Sequence, residues 1–461
     1  MRNNSCFFLH WKNQYADKTY YIPLFVGKKR RIFMQKYIIA FICSLAALSS
    51  TAQEITLRDT ITRIPADTTL SYTNLYDVTD AIKDVSRFIR GDTSKKVNKK
   101  RSGISILPNI NYNPSIGFQI GAKVVGGQYL GDPENTAMST FATALSYTTR
   151  GILYGYFAHD IYTKNNKWNL KGGVVIAKMV GLDYGMGIGN RIATDDPAEQ
   201  TLNNPDRVRY VNQYTVYGLN ERLYKNLLPG MFVGGGVFIE LKRNIHTVGD
   251  HTLTPWGVHS DMTGYNQEKY NNNGLMFNWQ YMTRDNPNSA HKGIYADIVL
   301  RMSQKWIGSA KNAYQLQTDF RKYWQLSENR PNHVFGFWHW GSYNIGGELA
   351  LLDLPGTGKD TYARSGRGYT NGYFKGTSFF YSEVEYRFPI LRNQFLSGVV
   401  FANIQTANDR LGTKLFQKWQ PAGGTGLRIL FNKATRTNLC IDYAVGRFGQ
   451  QGLFLGLNEA F

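Results

Sequence analysis

The residues best placed to do chemistry in this 461-residue chain lie between Arg364 and Gly376, which read RSGRGYTNGYFKG. Arg367 sits among glycines, and Glu385 follows in EYRFP. Arginine offers a planar fork of donors that matches a carboxylate, and glycine lets backbone approach closely. That chemistry suits a loop held in place by its arginine rather than a catalytic pair, and it leaves open that Arg367 sits in a solvated surface loop. Asp297, Asp319 and Glu385 are the right residue type for acid–base work, but each stands in an alternating segment and is read as part of a charged network. GMGIGN (185–190) has the glycine spacing of a phosphate cradle without the strand–helix–strand context that such a cradle needs, so its glycines are read as a strand end. His246, His251 and His259 share one polar stretch without a metal-ligand spacing. No Gly-x-Ser-x-Gly elbow occurs. The chain is expected to be no enzyme and to need no cofactor and no metal.

The net charge of +20 raises nucleic acid as a partner. Its distribution argues otherwise. Lys28, Lys29, Arg30 and Arg31 precede an export-like segment, Lys95, Lys96, Lys99, Lys100 and Arg101 fall in a linker, and the rest are scattered. No nucleic-acid partner is expected. Anionic outer-membrane lipid and lipopolysaccharide are the expected users of this charge. Cys6 and Cys43 lie in the portion read as removed, which leaves Cys440 without a disulfide partner.

Residues 34–52 (MQKYIIAFICSLAALSSTA) have a basic start, a short apolar core and small residues at Ser50 and Ala52, the pattern of a signal peptide. Residues 1–33 are then an over-called start or a long leader. Residues 53–103 read as a periplasmic linker with a short helix that begins at Asp77 and carries Val78, Ile82, Val85 and Ile89 on one face.

From Ile104 to Phe461 the texture changes to period-two alternation. Ile294, Ala296, Ile298, Leu300 and Met302 oppose Tyr295, Asp297, Val299 and Arg301; Tyr314, Leu316, Thr318 and Phe320 oppose Gln315, Gln317, Asp319 and Arg321. Charges recur on one face of successive segments, as a wet lumen requires, while the other face suits hydrocarbon. The mean hydropathy of −0.37 is no objection, because barrel strands are apolar on one side only. About sixteen strands are expected, beginning near 104, 116, 137, 150, 167, 207, 230, 274, 292, 313, 333, 376, 396, 422, 436 and 452. Asn113-Pro114-Ser115 is read as one of the tight periplasmic turns, and 187–206, 243–272 and 346–374 as long outer loops. The last strand is expected to hold Leu453, Leu455, Leu457 and Phe461 on one side, with Phe461 as the signal read by outer-membrane assembly machinery.

Several of these pieces together resemble the bacterial surface-antigen family, the BamA/TamA-type outer-membrane assembly and translocation barrels. Arg367-Gly368-Tyr369 is similar to that family's Arg-Gly-aromatic loop signature, and Glu385 to the acidic residue of the following strand, and the resemblance implies that Arg367 anchors the loop on Glu385 inside the barrel. MTRDNPNSAHKG (282–293), LDYGMGIGN (182–190) and the closing Glu-Ala-Phe fit the same family. The chain departs from the pattern in two places: Gly366 stands where an aliphatic residue is usual, and Asn403 where an acid is usual. The second departure predicts that Arg367 loses one of two charged partners. The tandem periplasmic transport domains of the family do not fit within 53–103.

The fold expected is all-β: a closed antiparallel transmembrane barrel of about sixteen strands over 104–461, in the Gram-negative outer membrane. The resemblance implies help with inserting or moving polypeptide or lipid, through the assembly machinery or a periplasmic protein partner. A passive porin-like channel and a barrel that anchors such a partner are the alternatives.

Overall fold

The computed structural model describes residues 75–84, apart from 79 and 82, and residues 104–461, apart from 133, 190–193, 250–252, 331 and 434. The expected signal peptide, the leader ahead of it and most of the linker fall outside these residues. Among the described residues no helix is long and apolar enough to cross a membrane.

The chain forms one antiparallel sheet closed on itself. Its first half runs β1 (Ile104–Pro108), β2 (Asn111–Asn113), β3 (Gly117–Gln128), β4 (Ser139–Thr148), β5 (Leu153–Tyr162), β6 (Trp168–Asp183), β7 (Tyr210–Leu228), β8 (Met231–Thr247) and β9 (Tyr270–Met282). The second half runs β10 (Gly293–Ser303), β11 (Ala313–Gln325), β12 (Val334–Gly347), β13 (Ser378–Pro389), β14 (Leu396–Ala407), β15 (Gln420–Asn432), β16 (Thr437–Val445) and β17 (Gln451–Leu457). From β2 onward each strand pairs with its sequence neighbour, and β17 returns to β2. Because β1 and β2 both pair with β3, they are two pieces of one stave, and the barrel has sixteen.

Alternation becomes a two-sided wall. Leu145, Ile176 and Phe277 point outward with 62%, 56% and 56% of their surface uncovered, and Leu153, Phe157, Val237, Ile298 and Leu427 are exposed beside them. So wide an apolar surface is a liability in water and the preferred state in hydrocarbon. Inward positions carry Asp297, Arg321, Glu383, Glu385, Arg428 and Asp442, all buried.

The long connections 184–209, 248–269, 348–377 and 408–419 share one end, here the outer end. The turn at 114–116 lies there too, since the Asn371 amide of the longest loop donates to Ser115 Oγ at 2.7 Å. This corrects the expectation of a periplasmic turn: a chain that enters the barrel at the inner end must make its first reversal at the outer one. The loop expected at 243–272 is shorter, because β8 continues to Thr247 and β9 starts at Tyr270. Two helices lie in the outer loops, α1 (Pro197–Asn203) and α2 (Pro255–Thr263). They pack with Leu349, Leu351, Leu352 and Leu354 into an apolar dome that includes Leu202, Trp256 and Val258.

Candidate functional site

The loop between β12 and β13 does not stand out in solvent. It folds into the lumen, and Arg367 ends 5% exposed. Two glycines make that path possible. Gly366 has φ +80 and Gly368 φ +100, a region that residues with a Cβ rarely adopt. An added Cβ at Gly368 would lie 2.8 Å from the Ala422 Cβ. The departure at Gly366 thus matches a local backbone need.

The Arg367 guanidinium meets Glu383 and Glu385 of β13 and donates to Asp442 Oδ2 of β16 at 2.8 Å. Its plane lies over the Phe401 ring, 3.5 Å from the centroid. Asn403 Nδ2 donates to the Arg367 carbonyl at 2.9 Å and to Glu383 Oε2 at 3.5 Å, so Asn403 ties the loop backbone to the carboxylate wall. The expected loss of a charged partner is therefore corrected: Arg367 has three carboxylates. Alternation puts Glu383 beside Glu385 on the lumenal face, and Asp442 comes from β16, three strands further along the wall. Tyr369, the third residue of the signature, donates its hydroxyl to the Pro421 carbonyl at 2.6 Å.

The cluster extends inward. Arg387 Nε donates to Glu385 Oε1 at 2.5 Å, Arg428 NH1 to Asp442 Oδ1 at 2.5 Å, and Arg428 Nε to Glu459 Oε2 at 2.6 Å. Three arginines thus face four carboxylates in a place shielded from solvent. Charges buried in this way persist only when paired, and removing one partner is far costlier than removing a surface pair.

Two further anchors hold the same loop to the opposite wall. Lys242 Nζ donates to Asp353 Oδ1 at 2.5 Å, with Asn272 Nδ2 on the other oxygen at 3.1 Å. Lys375 Nζ donates to Asp183 Oδ1 at 2.7 Å, and the Gly187 amide donates to the Lys375 carbonyl at 2.6 Å. Sequence reasoning missed both. The signal for the second was GMGIGN: its glycines at 185, 187 and 189 all have positive φ, and Met186 and Ile188 are buried between them, so the stretch cradles the loop.

Phe461 is a second correction. It does not share the outer side with Leu453. After Leu457 the chain turns at Asn458, φ +69, and the ring enters the lumen, stacked 5.4 Å from Trp338 and 6.0 Å from Tyr323. Arg387 NH2 donates to the Phe461 oxygen at 3.0 Å. The turn 283–292 reaches the same place: Asn288 Oδ1 accepts from Asn458 Nδ2 at 3.2 Å, and Asp285 accepts from Arg436 at 2.6 Å. The lumen is therefore filled at its inner end as well as its outer end.

The seam is thin by contrast. β17 and β2 share one register pair, Leu455 with Tyr112, whereas β7 and β8 pair along most of their length. Among the described residues, β1 pairs only with β3, so beyond Leu455 the inner end of the β17 edge has no strand partner.

Of the loop histidines, His259 lies buried in α2 beside Tyr265, His246 is exposed at the end of β8, and His251 falls outside the described residues. Asp297 and Asp319 pair with Arg222 and Arg321 in the lumenal wall.

Residues 238–452 match the Omp85 superfamily domain. Among solved structures the fold is similar to BamA from Haemophilus ducreyi lacking POTRA domains 1–3, with a TM-score of 0.52 and 14% identity over 82% of this chain and 78% of that one. CdiB from Escherichia coli gives a TM-score of 0.49 and 8% identity over 78% of this chain and 63% of that one. CdiB from Acinetobacter baumannii gives 0.46 and 12% over 78% and 60%. No curated protein matches the sequence.

Proposed function

We propose that this Omp85-type barrel works in the outer membrane of a Gram-negative envelope, where it aids insertion or transport of polypeptide or lipid at its seam rather than through a central pore. It acts there without catalysing a reaction, in contact with lipid and lipopolysaccharide and in concert with the assembly machinery or a periplasmic partner. The observation that carries this reading is the contrast between a filled lumen and a seam held by one register pair, Leu455 with Tyr112. An edge strand with free amides and carbonyls is a template for another strand, and that is a client-binding property. The same contrast weighs against a passive channel, since the dome and the inward-folded loop occupy the path that solutes would take.

Depletion in the native bacterium tests the proposal. The expected result is a selective fall in particular outer-membrane proteins or lipids, identified by quantitative inventory of the isolated membrane. An unchanged inventory, together with stable solute conductance by the purified barrel, would overturn it.

A further inference from the structure

We propose that Arg364 is a positioning residue that couples the lumenal loop to the seam strand, so that release of the loop and opening of the β17 edge are one event. This rests on the seam reading above and names the residue through which the seam is controlled. The Arg364 guanidinium donates through NH2 to the Leu457 carbonyl at 2.9 Å and through NH1 to the Glu459 carbonyl. Leu457 is the last ladder residue of β17, beyond the single pair that closes the barrel. A loop side chain thus takes the place of a strand partner along the free edge.

The loop is shaped to present it. Ala363 has φ +53, a left-handed conformation unfavourable for a residue with a Cβ, and it is the residue that turns the chain toward Arg364. The Asp360 carboxylate fixes that turn: its oxygens accept from the Arg364 amide at 2.9 Å, the Ser365 amide at 2.7 Å and the Tyr362 amide at 3.2 Å. Three residues on, Arg367 is held by the carboxylate cluster, and Glu459 belongs to that cluster through Arg428. Loop and strand are therefore joined directly through Arg364 to backbone, and indirectly from Arg367 through Asp442 of β16 and Arg428 of β15 to Glu459 just past β17. Such a link is reciprocal: whatever frees the strand loosens the loop by the same factor, and the reverse.

Hydrogen–deuterium exchange of the purified barrel in lipid vesicles, read by mass spectrometry over 451–457, measures the strand without any client. Arg364→Ala is expected to raise exchange there by about tenfold, the scale of one strong hydrogen bond lost, while 437–445 stays protected. Asp360→Asn, which loosens the turn but leaves the arginine in place, should raise it less. In the other direction, a disulfide between Tyr112→Cys and Leu455→Cys should protect loop 348–377 from protease relative to the reduced form. Unchanged exchange over 451–457 in a folded Arg364→Ala barrel overturns the proposal, as does a loop whose protease sensitivity ignores the seam disulfide. If both effects appear while depletion changes no membrane component, the coupling stands and the functional reading fails.

Discussion

Arg367 shows how much a single side chain can carry when it is buried among opposite charges. Replacing it by Ala leaves Glu383, Glu385 and Asp442 short of a partner in a site without water access. The cost expected is about 3–5 kcal/mol, seen as a lower temperature for the heat-induced gel shift of the barrel and as faster proteolysis of 348–377. Arg367→Lys should recover only part of this, because a point charge cannot reach three carboxylates at once. Phe461→Ala should cost a comparable about 3–5 kcal/mol through the emptied place beside Trp338 and Tyr323, and Trp338 fluorescence should shift to the red as water enters. The lumenal side of Glu385 could be read in advance because alternation fixes which side of a strand a residue faces, and its meeting with Arg367 was implied by the resemblance to assembly barrels. Asp442 and Glu459 could not, because nothing local says which residues of separate strands meet inside the ring. The side taken by Phe461 was misread because one left-handed residue, Asn458, reverses an alternation that otherwise continues.

The elements were legible to different degrees. Strand starts lie within a few residues of those expected, since period-two patterning is a local property and needs no knowledge of the closed ring. The outer helices were not foreseen. For α2 the signals were present, with Thr254 as cap, Pro255 in the first turn and Gly264 as the stop. No amphipathic stripe accompanied them, because this helix is buried on nearly every side. Burial also sets its pH response. Desolvation, aided by the Arg410 and Lys375 charges, pushes His259 down to about 4. The unfolded dome binds this proton near 6.5, so between those values the unfolded form holds more protons and stability falls as pH falls. Above about 6.5 the effect vanishes. Protease resistance of the outer loops is expected to drop between pH 6.5 and 4, by up to about 3 kcal/mol in opening free energy, and His259→Gln should flatten that profile. A dome equally resistant at both ends of this window in the native protein would contradict the assignment.

At the scale of the whole molecule, an apolar outer belt, a filled interior and one short closure describe a barrel packed along its axis and least tied along its side. Planar-bilayer recordings should show the intact protein closed, and deletion of 349–376 should produce steady conductance steps. The resemblance to assembly barrels was visible in a few motifs, but the plugging by 283–292 and by the tail is a property of the closed ring and left no mark in any one segment. The most direct test of the central claim is client insertion with the seam locked. In the Tyr112→Cys, Leu455→Cys double variant, the oxidised barrel should fail to sustain the membrane components that depend on this protein, and a reductant should restore them. Full activity with the disulfide closed would contradict the account.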